Sequence, residues 1–132
     1  MSITYAPRIE RADLRTNPDT RFVFGDNYMR KGLGGQAKEM RGEPNAIGIA
    51  TKWAPSRHAS AFFNDARFDF NAGIIDRDLA LIEQALTSGR TIVFPMSGIG
   101  TGRASLEDEA PRTWAHLNAG LLKFGIQNPP SV

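Results

Sequence analysis

The sequence predicts a single α/β domain with a mostly parallel central sheet and helices on both of its faces. Three observations carry this expectation. Short, apolar, β-prone runs alternate along the chain with segments of helical period, the pattern of a parallel sheet crossed by helices. The chain has 132 residues, which suits one domain and argues against two. Its glycines gather just beyond two of the apolar runs: Gly25, Gly32, Gly34 and Gly35 after one, Gly98, Gly100 and Gly102 after another. In open parallel sheets, ligands bind beyond the carboxyl ends of strands.

Taken in order, residues 1–20 are polar and weakly defined. One short strand is expected at Ile3–Ala6, and Asn17-Pro18-Asp19 signals a turn. Residues 21–24 read as a buried strand stopped by Gly25-Asp26-Asn27. Gly34 and Gly35 open a short helix that runs through Met40 and ends at Gly42. Residues 46–51 form the next strand. Residues 52–71 are rich in aromatic side chains without a clear period, and are read as irregular with an antiparallel strand near Phe68. Ile75, Leu79, Ile82 and Leu86 then mark one face of an amphipathic helix, with Asp76 in its first turn and Gly89 past its end. Residues 91–95 are the third confident strand. Pro111 opens the last helix, whose apolar face is Ala110, Trp114, Leu117, Leu121 and Phe124.

Composition removes several classes of function. The absence of cysteine excludes disulfides, thiolate zinc sites and a cysteine nucleophile. His58 and His116 lie far apart, so neither a metal nor another cofactor is expected. Sixteen basic residues against 14 acidic ones give a net charge of +2, too small to announce a nucleic-acid binder. No stretch resembles a signal peptide or a membrane span, which leads to the expectation of a cytoplasmic protein without a membrane partner.

The chemistry is expected in the two glycine loops. In the second, Ser97-Gly98-Ile99-Gly100-Thr101-Gly102 alternates glycines so that backbone N–H groups can form a nest for an anion. Ser97 and Thr101 add hydroxyls and Arg103 adds charge. In the first, Asp26 and Asn27 can meet ribose hydroxyls or a base edge. Arg30 adds a cation, while Lys38 and Arg41 read better as solvated. Gly32, Gly34, Gly35 and Gln36 lead into a helix N-terminus, which favours anions. Neither a dinucleotide fingerprint nor a Walker loop is present: Arg103 stands where the third glycine would, and no glycine-lysine-serine or glycine-lysine-threonine triplet follows either loop.

These segments, in this order, resemble a macrodomain of the branch that includes the terminal and DNA-directed ADP-ribosyl glycohydrolases. Residues 22–38 are similar to that branch's strand and glycine- and lysine-rich loop, Ile49-Ala50-Thr51-Lys52 to its "ITK" strand end, and residues 94–106 to its second ligand loop. The resemblance implies a three-layer fold and an ADP-ribose-like nucleotide ligand. It places Gly32–Gly35 at the distal ribose and Gly98–Gly102 at the diphosphate, with Thr51 at the strand end beside them. Lys52 matches the lysine that attacks or activates the ribosyl carbon in part of the branch, with Asp26 as a second catalytic candidate. Nucleic acid enters only as an ADP-ribosylated substrate. The acidic residue that some members carry in the second loop falls near Gly102. The expected functions are thus hydrolysis of an ADP-ribosyl link, sequestration of such a nucleotide without turnover, or a small interaction domain.

Overall fold

The computed structural model describes residues 2–130; Met1 and residues 131–132, which the single-domain reading also covers, lie outside the described residues. Four strands, β1 (Ile3–Ala6), β2 (Arg21–Asn27), β3 (Ala46–Lys52) and β4 (Ile92–Pro95), form one sheet in the order β1-β4-β2-β3. All three ladders are parallel. The helices are α1 (Arg11–Thr16), α2 (Ala37–Met40), α3 (Phe68–Thr87), α4 (Leu106–Glu109) and α5 (Pro111–Leu122). The expected α/β class and the parallel sheet are what the chain adopts.

The period-2 alternation of the strands makes three layers. On one face Val23, Ile47, Ile49, Ile92 and Phe94 pack with Ile75, Leu79 and Ile82 of α3 and Leu117 and Leu121 of α5. On the other, Phe22 and Phe24 pack with Leu14 of α1 and with Ala37 and Met40. Both sheet faces are covered, as parallel sheets require.

Several expected boundaries move. β2 continues through Gly25-Asp26-Asn27, which were expected to stop it, because β3 offers a parallel partner as far as Lys52. The antiparallel strand expected near Phe68 is the first turn of α3, which begins well before Ile75. Asp76 therefore sits inside the helix, where its carboxylate meets His116 Nε2 at 2.7 Å. Residues 2–20 are more ordered than their polarity suggests. They contain α1 as well as β1, and Asn45 Nδ2 donates to the carbonyls of Leu14, Asn17 and Thr20. The helix expected from Gly34 is a single turn starting at Ala37. It is too short to supply the macrodipole expected there. Pro111 does open α5; its N-cap residue, Ala110, has no side-chain acceptor, and Asp65 supplies one from outside the helix by accepting from Arg112 N at 2.8 Å and Thr113 N at 3.0 Å.

β3 is an edge strand, and an ion pair closes its outer side. Arg30, expected at the ligand, instead donates to both carboxylate oxygens of Asp78 at 2.8 Å and to the Gly48 carbonyl at 3.2 Å. Asp78 Oδ2 accepts from Ala50 N at 2.8 Å. Two side chains thus take the place of a fifth strand and blunt an edge that would otherwise template pairing. Asp78→Ala removes the acceptor of a buried N–H and leaves Arg30 half-paired. We expect a loss of about 2–3 kcal/mol, below the full value for a buried pair because Arg30 is partly exposed. Urea unfolding should show a lower midpoint with an unchanged slope; a midpoint equal to the parent's would mean the pair does not hold the edge.

Candidate functional site

The ladder between β2 and β4 stops early. Only Arg21–Ile92 and Phe22–Val93 are in register, and past them the two strands part. β2 leads to α2 on one face of the sheet, whereas β4 leads towards α5 on the other. A crevice opens where such connections diverge. Here it is a cavity of about 460 Å³, within the range of small-molecule sites.

Both glycine loops line it. Every ligand residue expected from the sequence except Arg30 is on its wall, including Gly32, Gly34 and Gly35 on one side and Ser97 through Arg103 on the other. Thr51, Asp26, Asn27 and Lys52 form its floor at the strand ends.

Two contacts tie the loops together. Gln36 Oε1 accepts from Gly25 N at 2.8 Å, filling the gap left by the broken ladder, and Gln36 Nε2 donates to the Gly98 carbonyl at 3.1 Å. Gln36 thus bridges the loops. Above it, Arg103 reaches across: a Cβ built on Gly34 would meet its Nη1 at 3.0 Å. Gly34 is one glycine of this loop whose bareness makes room for a side chain.

The backbone of the second loop has unused donors. Gly98 N bonds the Pro95 carbonyl and Ile99 N bonds Asn128 Oδ1. Among the described residues, the N–H groups of Gly100, Thr101, Gly102 and Arg103 then meet no protein acceptor. Gly98 and Gly100 hold left-handed φ of 80° and 73°, which non-glycine residues rarely adopt. Successive free N–H groups of this kind receive anions.

Charge agrees. The cavity wall carries Lys31, Arg41, Lys52 and Arg103 against one carboxylate, Asp26. That carboxylate is buried at 7 % exposure and held by the Arg41 guanidinium, with Arg30 Nη1 at 3.6 Å on its other side. Gly48 makes room for it, since a Cβ there would lie 2.7 Å from Asp26 Oδ2. Arg41, read from sequence as solvated, belongs to the wall; the turn after a one-turn helix folds it back, which no local pattern reveals. Asn27 spends its amide on the loop itself, donating to the Lys31 carbonyl at 2.8 Å.

Lys52 is the last residue of β3 and is 8 % exposed. Its Nζ donates to the Ser56 carbonyl at 2.8 Å and lies 4.4 Å from the centre of the Phe62 ring. Burial, with the charges of Arg103 and Arg57 adding to it, holds its amine below the usual lysine range. A neutral amine is a nucleophile and a base; a protonated one is neither.

Among the described residues, no group of three or more histidine, aspartate or glutamate side chains could hold a metal ion. His58 caps a 3-10 turn, its ring nitrogen accepting from Ser60 N, and His116 pairs with Asp76 on the surface. No helix among the described residues is long and apolar enough to cross a membrane. The model of a Family of unknown function (DUF7831) matches residues 4–120. No curated protein and no solved structure matches the chain.

Proposed function

We propose that this chain, which belongs to the family of unknown function DUF7831, binds an ADP-ribose-like nucleotide in the cleft between its two glycine loops. The observation that carries the proposal is the run of unpaired N–H groups from Gly100 to Arg103, set in a cavity whose wall carries Lys31, Arg41, Lys52 and Arg103 against one carboxylate, Asp26, which is paired with Arg41. A diphosphate is the anion that such a loop suits: it presents several acceptor oxygens, and Arg103 adds charge from the loop's own end. The cavity has room beyond a phosphate group, and Asp26, Asn27 and Thr51 offer polar atoms on the floor for a sugar. The macrodomain resemblance supports the same ligand.

A second reading, hydrolysis of an ADP-ribosyl linkage, is favoured by Lys52. Its amine is buried at the cavity floor, and burial lowers its pKa from the usual lysine range. In that reaction the amine attacks the ribosyl carbon, and the leaving group departs with the electron pair of the broken bond and takes up the proton that the amine loses. Water then cleaves the lysyl adduct and restores the amine. Gly102, where a carboxylate would assist, leans against turnover and keeps binding the first reading.

The test is calorimetry and mass spectrometry on one protein sample titrated with ADP-ribose, its cyclic forms, NAD and pyrophosphate. Binding of ADP-ribose that weakens as salt rises is expected, because phosphate contacts are screened. Equal affinity at low and high salt would contradict an anion nest. No binding by any of these would end the nucleotide reading.

A further inference from the structure

The second glycine loop is held partly by its own bonds, Leu106 N to the Gly100 carbonyl and Thr101 Oγ1 to the Ser97 carbonyl, and partly by a tail from beyond α5. Asn128 Oδ1 accepts from Ile99 N at 2.7 Å, and Asn128 Nδ2 donates to the Ile99 carbonyl at 3.1 Å. One side-chain amide thus takes both backbone groups of Ile99, as a neighbouring strand would. Asn118 Oδ1 on α5 accepts from the same Nδ2 at 2.9 Å, which fixes which way the amide faces. Gln127 N donates to the Tyr5 hydroxyl at 3.0 Å, tying the tail to β1. The tail also lies flush on Gly98, where a Cβ would meet Asn128 Oδ1 at 2.7 Å and Pro129 Cβ at 3.2 Å.

Ile99 anchors the loop in the core. It stands between Gly98 and Gly100, both left-handed, and is itself buried. With its N–H and carbonyl committed to Asn128, the unpaired N–H groups begin at the next residue, and residues 100–103 line the cleft. Without that commitment, two flanking glycines would let the loop rotate and satisfy its donors elsewhere.

We propose that Asn128 is a positioning residue for the cleft: its amide holds the second glycine loop in the shape that presents the N–H groups of residues 100–103 to an anion. The consequence for ligands rests on the nucleotide reading above. Asn128 lies beyond residues 4–120, the span matched by the family model.

The test uses the full chain and two variants, Asn128→Ala and Asn118→Ala. Amide exchange by NMR on ligand-free protein reads the loop, and calorimetry with ADP-ribose and with pyrophosphate reads the cleft. In Asn128→Ala the Ile99 amide should exchange on the order of tenfold faster or more, while the Val23 and Ile49 amides of the central strands keep their rates. Affinity for both probes should fall on the order of tenfold, the effect of two lost neutral hydrogen bonds. Asn118→Ala leaves both bonds to Ile99 and frees only the amide's orientation, so it should move both readouts in the same direction by less; it also carries the test should Asn128→Ala not fold. Unchanged Ile99 exchange overturns the proposal, as does faster exchange at unchanged affinity. Faster exchange spread equally over Val23 and Ile49 overturns it too, since the role is then structural throughout. Wild-type protein that binds neither probe overturns the nucleotide reading, and the exchange rates still decide whether Asn128 shapes the loop.

Discussion

Gly100→Val is expected to lower affinity for ADP-ribose by roughly 10²-fold or more. The route is not simple filling of the anion nest. A Cβ at Gly100 points inward, meeting Leu106 Cβ, Leu106 Cδ2 and Thr51 Cγ2 at 3.3 Å each. A valine also resists the left-handed φ of 73° found there. Loop and side chain cannot both stay in place, so the N–H groups of residues 100–103 lose their common arrangement. Strain and overpacking together should cost about 3 kcal/mol of stability. Circular dichroism and thermal unfolding would establish that the variant is folded before calorimetry is read. Gly102→Val is the companion variant. Its Cβ meets no atom within 4 Å and its φ is not left-handed, so its stability should match the parent's while a side chain on the cleft wall hinders binding. Full affinity in both folded variants would remove the second loop from the site.

Lys52→Met should separate enzyme from binder. Methionine keeps an unbranched stem against Phe62 and removes the amine. If the chain hydrolyses an ADP-ribosyl link through Lys52, turnover should fall by on the order of 10³-fold, what one nucleophilic or proton-transferring group commonly supplies. If it only binds, affinity should fall by roughly ten- to a hundredfold for the loss of a charged hydrogen bond. Lys38 is exposed and lies outside the cleft wall, and Lys38→Met is the control.

The pH dependence has a definite sign. Lys52 holds its proton less tightly in the folded chain than in the unfolded one. Turnover through its neutral amine should rise with pH through the folded-state value and then level. Below that value the folded state bears the full cost of a buried cation. Between it and the unfolded value near 10.5 the unfolded chain binds more protons, so Lys52's contribution to stability rises with pH there. Lys52→Met should thus unfold no earlier than the parent at neutral pH. Turnover of an ADP-ribosyl substrate by Lys52→Met at the parent's rate would sink the catalytic role.

How far the sequence reaches can be argued from particular residues. The strands around Val23, Ile49 and Phe94 are legible because a run of β-prone apolar residues bounded by glycine or proline reports its own conformation and burial. The two loops are legible for a related reason: glycine clusters directly after such strands mark sharp backbone turns at the carboxyl edge of a sheet. The partners of Arg30 and Arg41 were not legible. Local pattern puts Arg30 at the ligand and leaves Arg41 solvated, because neither partner is a near neighbour in sequence. The fold sends Arg30 to Asp78, 48 residues away, and Arg41 to Asp26 on the cleft wall.

The sequence by itself determined the α/β class, the parallel alternation and the two loops that would share an edge, because each rests on local periodicity and on conformations that only glycine adopts freely. Tertiary structure alone decided that β4 lies between β1 and β2, that the β2–β4 ladder breaks after Phe22 and Val93 to open the crevice, and that Asn128 holds Ile99 from 29 residues away. Strand order, ion-pair partners and side-chain clamps join residues distant along the chain, and their energies come from desolvation and hydrogen bonding that exist only once the sheet has assembled.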